Sequence, residues 1–101
     1  MQNSNPNPKS WQVLVLLLKE IAKQKGITQE EIAQLSGITQ TNISRIFSLR
    51  YKPRLDTFLS VAGAIKVNFF VEDKDGISDL NKAMESAMEQ LGRRPDKLNE
   101  N

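Results

Sequence analysis

The sequence predicts an all-α fold of four to five helices, to which a short β-strand and a C-terminal helix are added. Apolar residues recur at steps of three and four along most of the chain, which is the periodicity of helices packed on a core. Ser or Thr stands directly before several of these segments and Gly directly after, as at the ends of helices. One β-branched and aromatic run, residues 67–71, breaks this pattern and predicts the strand.

Composition excludes most catalytic chemistry. The chain has 101 residues, 39% hydrophobic and 26% charged, as expected of one soluble globular domain. It contains no Cys and no His, which excludes disulfides, zinc fingers, cysteine nucleophiles and imidazole catalysis. We therefore expect a non-enzyme without cofactor or metal. The polar start and the short apolar run predict neither a secretion signal nor a membrane span, and hence a cytoplasmic protein.

Positive charge is concentrated in one part of the chain. Residues 1–71 hold nine Lys and Arg against four Asp and Glu, whereas residues 72–101 hold five against eight. No acidic residue occurs between Glu31 and Asp56, and that gap contains Arg45, Arg50, Lys52 and Arg54. Such a block is typical of a face that binds a polyanion, although a solvated charged surface would have the same composition.

The first helix is expected to follow a disordered arm, residues 1–9. Ser10 is its expected N-cap, and the helix should run to about Lys25, where Gly26 ends it. Four apolar residues at helical spacing are expected to face the core: Leu14, Leu17, Leu18 and Ile21.

Two short helices joined by a tight turn come next. Thr28 and Glu31 match a capping box, in which each side chain bonds a free amide of the first turn. Gly37 supplies the left-handed conformation for the turn, and Thr39 caps a second helix that runs to about Phe47. The residues expected to face inward are Ile32, Leu35, Ile43, Ile46 and Phe47.

The rest of the chain contains two further helices. One is expected over residues 55–65, with the core residues Leu55, Phe58, Leu59, Ala62 and Ile65. After the strand at 67–71, residues 73–76 carry the signal of a turn. Ser78 is the expected cap of the last helix, and Gly92 ends it.

Two short helices joined by a turn of three to four residues that contains Gly form a helix-turn-helix. Ala33 is small where the two helices must cross closely. The residues left pointing outward from the second helix are polar, and none is acidic: Gln40, Thr41, Asn42, Ser44 and Arg45. Gln and Asn can pair with adenine and Arg with guanine, so this face suits base reading in the major groove. A polar, solvated helix face without a partner is the alternative interpretation.

Residues 18–65 resemble the lambda-repressor-like helix-turn-helix family, also called the XRE or Cro/repressor family. The resemblance rests on three blocks in matching order and spacing, residues 27–33, 37–46, and 53–59 followed by Ala62 and Ala64. It implies a compact all-helical domain that places the helix at 39–47 in the major groove of DNA.

The resemblance also implies a role for individual residues. The base-reading positions are Gln40, Thr41 and Arg45, and the neighbours that could contact either bases or the backbone are Thr39, Asn42 and Ser44. The positions that contact phosphate are Gln29, Thr39, Arg50, Lys52 and Arg54. The chain departs from the family at residues 47–49, where Phe-Ser-Leu replaces the Glu-Asn-Gly-like stretch of many members, so the end of this helix is expected to differ.

These features divide the chain into an arm (1–9), a helix-turn-helix domain (10–66), an added strand and helix (67–92) and a polar tail (93–101). We expect the added part to form a homodimer interface, because paired half-sites raise affinity and specificity. Its expected residues are Val67, Phe69, Phe70, Val71, Leu80, Met84, Met88 and Leu91. Packing of the last helix against its own domain is the alternative.

The chain is therefore predicted to be a transcription regulator, most simply a repressor that binds a partly palindromic double-stranded operator as a homodimer. The alternative is an antitoxin whose C-terminal segment binds a toxin protein and which autoregulates its own operon, since the same family fold serves both roles. A pure interaction module that has lost DNA binding is disfavoured by the intact polar face of the second short helix.

Overall fold

The computed structural model describes residues 10–69 and 71–92 of the chain. These residues form five helices, so the expected all-α fold is confirmed. The helices are α1 (Trp11–Lys25), α2 (Gln29–Ser36), α3 (Gln40–Phe47), α4 (Leu55–Ala64) and α5 (Leu80–Leu91). The arm expected at 1–9, the tail expected at 93–101 and the interface residue Phe70 lie outside the described residues.

The chain divides into two compact units between Asn68 and Phe69. The first contains α1 to α4, in which α1 and α2 each contact both α3 and α4. The residues buried among these helices are Val15, Leu18, Ala22, Ile32, Ile43, Ile46, Phe47, Val61, Ala62, Ala64 and Ile65. Within the described residues no polar side chain is buried, so the removal of apolar surface from water holds the four helices together.

The caps of α1 and α2 form where the sequence predicts them. The Ser10 hydroxyl oxygen accepts a bond from the N–H of Gln12, and Gly26 ends α1 with a φ of 73°. At the start of α2, Thr28 Oγ1 accepts from the N–H of Glu31 at 3.1 Å. The Glu31 carboxylate accepts from the N–H of Thr28 at 2.8 Å. The capping box is therefore confirmed, and it satisfies two donors that have no partner within the helix.

The buried face of α1 differs from the expected one. Val15, Leu18 and Ala22 are buried, whereas Leu17 is 46% exposed and the other two expected core positions are half-buried. Residues 13–18 are all apolar, so periodicity alone does not select one face of the helix. Contact with α3 and α4 selects it instead.

Three more residues expected to face inward are exposed. Leu35 of α2 is 67% exposed, and Leu55 and Leu59 of α4 are 71% and 49% exposed. In α4 the buried positions include Val61 and Ala62, because apolar residues occupy several sides of this helix and only one side contacts α1 and α2. The predictions for these three leucines are wrong.

The strand expected at 67–71 is not formed in the described residues. Val67, Asn68, Phe69 and Val71 have no regular secondary structure. The N–H of Val67 donates to the carbonyl of Ala62 at 2.9 Å, which ends α4 in a Schellman motif. An extended segment also needs a neighbouring strand for its backbone groups, and the described chain offers only helices, turns and loops.

The second unit contains α5, which begins one residue later than expected. Asp79 is its N-cap, and the Asp79 side chain accepts from the N–H of Lys82 at 3.0 Å. Ser78, the expected cap, instead donates from its backbone N–H at 2.8 Å and from its hydroxyl to the carboxylate of Asp73. Gly92 ends the helix, as expected.

The Asp73 carboxylate organises the turn before α5. Bonds from the Ser78 hydroxyl, from Asp75 and from the Ser78 N–H hold the pKa of Asp73 well below its ordinary value. Gly76 has a φ of 68° and donates to the Asp73 carbonyl at 3.0 Å, which confirms the turn at 73–76. Because the folded-state pKa is lowered, these bonds stabilise the turn at neutral pH and are lost as the pH falls through that lowered pKa.

Replacing Thr28 with Ala should lower the free energy of unfolding by about 1 kcal/mol, because the Glu31 N–H then loses its partner. Urea denaturation followed by the fluorescence of Trp11, the chain's single tryptophan, measures this change. Thr41→Ala is the matched control, since the exposed Thr41 side chain lies within α3 and caps no helix end. Equal destabilisation in both variants would contradict the capping role.

Candidate nucleic-acid interface

The turn between α2 and α3 is held by hydrogen bonds at both ends. Gly37 has a φ of 78°, and its N–H donates to the Ala33 carbonyl at 2.9 Å. Thr39 Oγ1 accepts from the N–H of Asn42 at 3.2 Å, which caps the start of α3. The helix-turn-helix expected from the sequence is therefore formed.

The orientation of α3 follows from its buried side. Ile43, Ile46 and Phe47 are 0%, 2% and 3% exposed, and α3 packs through them on its neighbours in the first unit. Since these three residues face the core, the polar residues on the other side of the helix face outward. The inward positions predicted for α3 are confirmed.

The outward side of α3 lines an open concavity of about 510 Å³, together with the start of α2 and the loop after α3. Its lining residues are Gln29, Gln40, Thr41, Ser44, Arg45, Ser48 and Arg50. Two guanidinium groups and no carboxylate are among them, and the remaining side chains are amides and hydroxyls. Such a surface suits a partner that is negatively charged and rich in hydrogen-bond acceptors.

Two residues of this face differ from the sequence-based expectation. Asn42, expected to read bases, is half-buried and does not line the concavity. Ser48 does line it, and sequence reasoning missed this residue. Ser48 follows Thr41 by seven positions and Arg45 by three, so helical spacing was the signal that could have found it. The other four residues expected on the outward side of α3 line the concavity: Gln40, Thr41, Ser44 and Arg45.

The residues expected to contact phosphate fall into different settings. Gln29 is the first residue of α2 and lines the concavity, where the free amides of a helix N-terminus favour an anion. The Thr39 hydroxyl caps α3, whereas Lys52 is exposed outside the concavity. Arg54 pairs with Asp56 at 3.3 Å, but both are largely exposed, so this ion pair contributes little and leaves the guanidinium accessible.

The end of α3 forms its turn without the usual Gly. Leu49 adopts a φ of 63°, which costs a residue with a side chain about 1–2 kcal/mol. Its N–H donates to the Ile46 carbonyl and the N–H of Arg50 donates to the Arg45 carbonyl, both at 2.9 Å. This Schellman motif brings Arg50 into the same concavity as Arg45.

If Arg45 makes the bidentate base contact expected from the sequence, replacing it with Ala should weaken binding to a preferred DNA sequence by about 1–3 kcal/mol and leave weak nonspecific binding largely intact. Fluorescence anisotropy with a preferred and a scrambled duplex measures both affinities. Asn42→Ala is the comparison variant, and it should change neither affinity much, because Asn42 lies outside the concavity. An equal loss on both duplexes in Arg45→Ala would instead place Arg45 on a phosphate.

Comparison with known proteins also identifies a helix-turn-helix in this chain. A family model described as helix-turn-helix matches residues 18–70, just over half of the chain, which includes α2, α3 and α4. No curated protein matches the chain. Among the residues that the structure describes, no helix is long and apolar enough to cross a membrane. The chain belongs to the helix-turn-helix family in its lambda-repressor-like (XRE) form, a family of DNA-binding transcription regulators.

Proposed function

We propose that the protein is a sequence-specific transcription regulator, most simply a repressor, that acts in the cytoplasm and binds its operator as a homodimer. The observation that carries this proposal is the acid-free concavity on the outward side of α3. Helix α3 is held in place by its buried side chains, so the polar groups that would contact DNA have defined positions before binding.

The size and chemistry of α3 support base reading. With its side chains an α-helix is about 10–12 Å in diameter, which fits a major groove about 12 Å wide, and the eight residues of α3 supply about 12 Å of helix to lie in it. Arg45 can donate two bonds to guanine and Gln40 can pair with adenine. Thr41, Ser44 and Ser48 lie on the same concave face and offer hydroxyl groups to base edges or to the backbone.

Phosphate contacts would flank the base-reading residues. Gln29 lies at the N-terminus of α2, and Arg50 lies after the C-terminus of α3. Lys52 and Arg54 follow Arg50 in the loop and carry exposed cationic groups.

Each phosphate neutralised releases counterions, so Lys52→Ala should lower the slope of log affinity against log salt by about 0.9.

The second unit supports the proposed homodimer. On α5 the apolar residues Leu80, Met84, Met88 and Leu91 share one side, and each is at least 38% exposed. The charged residues Lys82 and Glu89 lie on the opposite side. A 12-residue helix is marginal on its own, so covering this apolar side would stabilise it. We propose that α5 of a second copy covers it.

The residues before α5 contribute less than expected to this interface. Val67 packs against the core of the first unit, and its N–H already bonds to Ala62, so Val67 is removed from the proposed set. Phe69 and Val71 are 42% and 75% exposed and remain in it, as side chains rather than as a strand. Phe70 lies outside the described residues.

An antitoxin is the second candidate function. The same exposed side of α5 that would pair with a second copy could bind a toxin protein instead. The two functions differ in the isolated protein, because a self-associating α5 favours the regulator and a monomer in which α5 is unstable favours the antitoxin. Light scattering and circular dichroism of the purified chain distinguish these outcomes.

Selection of bound sequences from a random duplex pool at near-physiological salt tests the proposed function. An inverted repeat with half-sites about 34 Å apart, one helical turn, would support a dimeric regulator. Single half-sites would support specific binding by a monomer. Recovery of nothing above background would contradict the regulator and move the antitoxin to first place.

Replacing Met84 with Lys should dissociate the proposed dimer, because covering the exposed Met side chain would contribute about 1.5–3 kcal/mol per protomer and a Lys there would bring a charge into the interface. Light scattering should then report a monomer at micromolar concentration. Glu89→Lys is the matched control, since it introduces the same side chain on the opposite side of α5 and should leave the dimer intact. A monomeric wild-type protein, or a dimeric Met84→Lys variant, would contradict this interface.

A further inference from the structure

Leu49 combines two features that rarely occur together. Its φ of 63° lies in the left-handed region, which side chains disfavour and glycine adopts freely. Its side chain is half-buried and packs against the core of the first unit. A strained residue persists only where its surroundings hold it, and here the core contact provides that hold.

The conformation of Leu49 determines where the next residue begins. It allows the N–H of Arg50 to reach the Arg45 carbonyl at 2.9 Å. The Ser48 hydroxyl donates to the same carbonyl at 3.2 Å. The backbone that carries Arg50 is thus tied to the residue that carries the other guanidinium of the concavity.

The end of α4 provides an internal comparison. Lys66 has a φ of 61°, and its N–H donates to the Gly63 carbonyl at 3.0 Å in the same type of motif. The Lys66 side chain, however, is exposed. The turn itself is thus compatible with an exposed side chain, and it does not account for the core contact of the Leu49 side chain.

We propose that Leu49 is a positioning residue for nucleic-acid binding. Its half-buried side chain holds the turn after α3, so that Arg50 is ordered in the concavity with Arg45 before a DNA phosphate arrives. Glycine would allow the same turn without strain, but it would release the loop from the core. This inference rests on the proposed DNA-binding function, because one of its tests measures DNA affinity. The other test measures the order of the loop in the protein without DNA.

The affinity readout is a double-mutant cycle on a labelled duplex titrated at several salt concentrations. Leu49→Gly should weaken binding several-fold and lower the slope of log affinity against log salt by about 0.9, the change expected for one lost phosphate contact. Arg50→Ala should do the same, and the double variant should show no further loss, because both remove one contact. Leu49→Met, which keeps a buried apolar side chain, should bind as the wild type does. Additive losses with an unchanged slope would overturn the proposal.

The order readout is hydrogen exchange of the Arg50 amide in the DNA-free protein. We expect this amide to be protected in the wild type and in Leu49→Met, and to exchange at least about tenfold faster in Leu49→Gly, because its closing bond then opens locally. Lys66→Gly is the matched control: it removes the strain at the other left-handed residue and should leave Arg50 exchange and DNA affinity unchanged.

The two readouts separate the inference from the function on which it rests. Absence of DNA binding by the wild type, with Arg50 protection still dependent on Leu49, would contradict the proposed function and leave the ordering role of Leu49 established. Normal DNA binding with unaltered Arg50 exchange in Leu49→Gly would contradict the inference alone.

Discussion

Burial of one side of α3 is the constraint on which the rest of the candidate site depends. An isolated helix of eight residues is unstable in water, so α3 exists because Ile43, Ile46 and Phe47 are packed into the core of the first unit. That packing leaves no freedom to rotate the helix about its axis. The polar side chains opposite the core, Arg45 among them, are therefore presented outward from a helix whose orientation the core fixes.

The turns at the two ends of α3 complete the concavity. The turn before it brings Gln29 of α2 into the lining of the concavity, and the turn after it brings Arg50 into the same lining. The first turn uses glycine at the left-handed position, whereas the second uses Leu49 and holds it through contact with the core. The arrangement of charge around α3 thus depends on backbone conformation and core packing as well as on the residues of the helix.

Local features of the structure could be predicted from the sequence. The bounds of α1, α2 and α3, the capping box of Thr28 and Glu31 and the left-handed Gly37 all depend on residues within a few positions of one another. Hydrogen bonds of this range form or fail within a single turn of chain, so sequence spacing is enough to locate them. The polar, acid-free character of the α3 face is local in the same sense.

By itself, the sequence determined where most helices begin and end and which short helix carries the polar face. Only the tertiary structure decided which sides of α1 and α4 are buried, because these helices are apolar on more than one side and the choice belongs to their neighbours. It also decided that Ser48, and not Asn42, lines the concavity, and that residues 67–69 form no strand. The physical reason is common to all three: burial and strand pairing are set by partners distant in sequence, which local spacing does not specify.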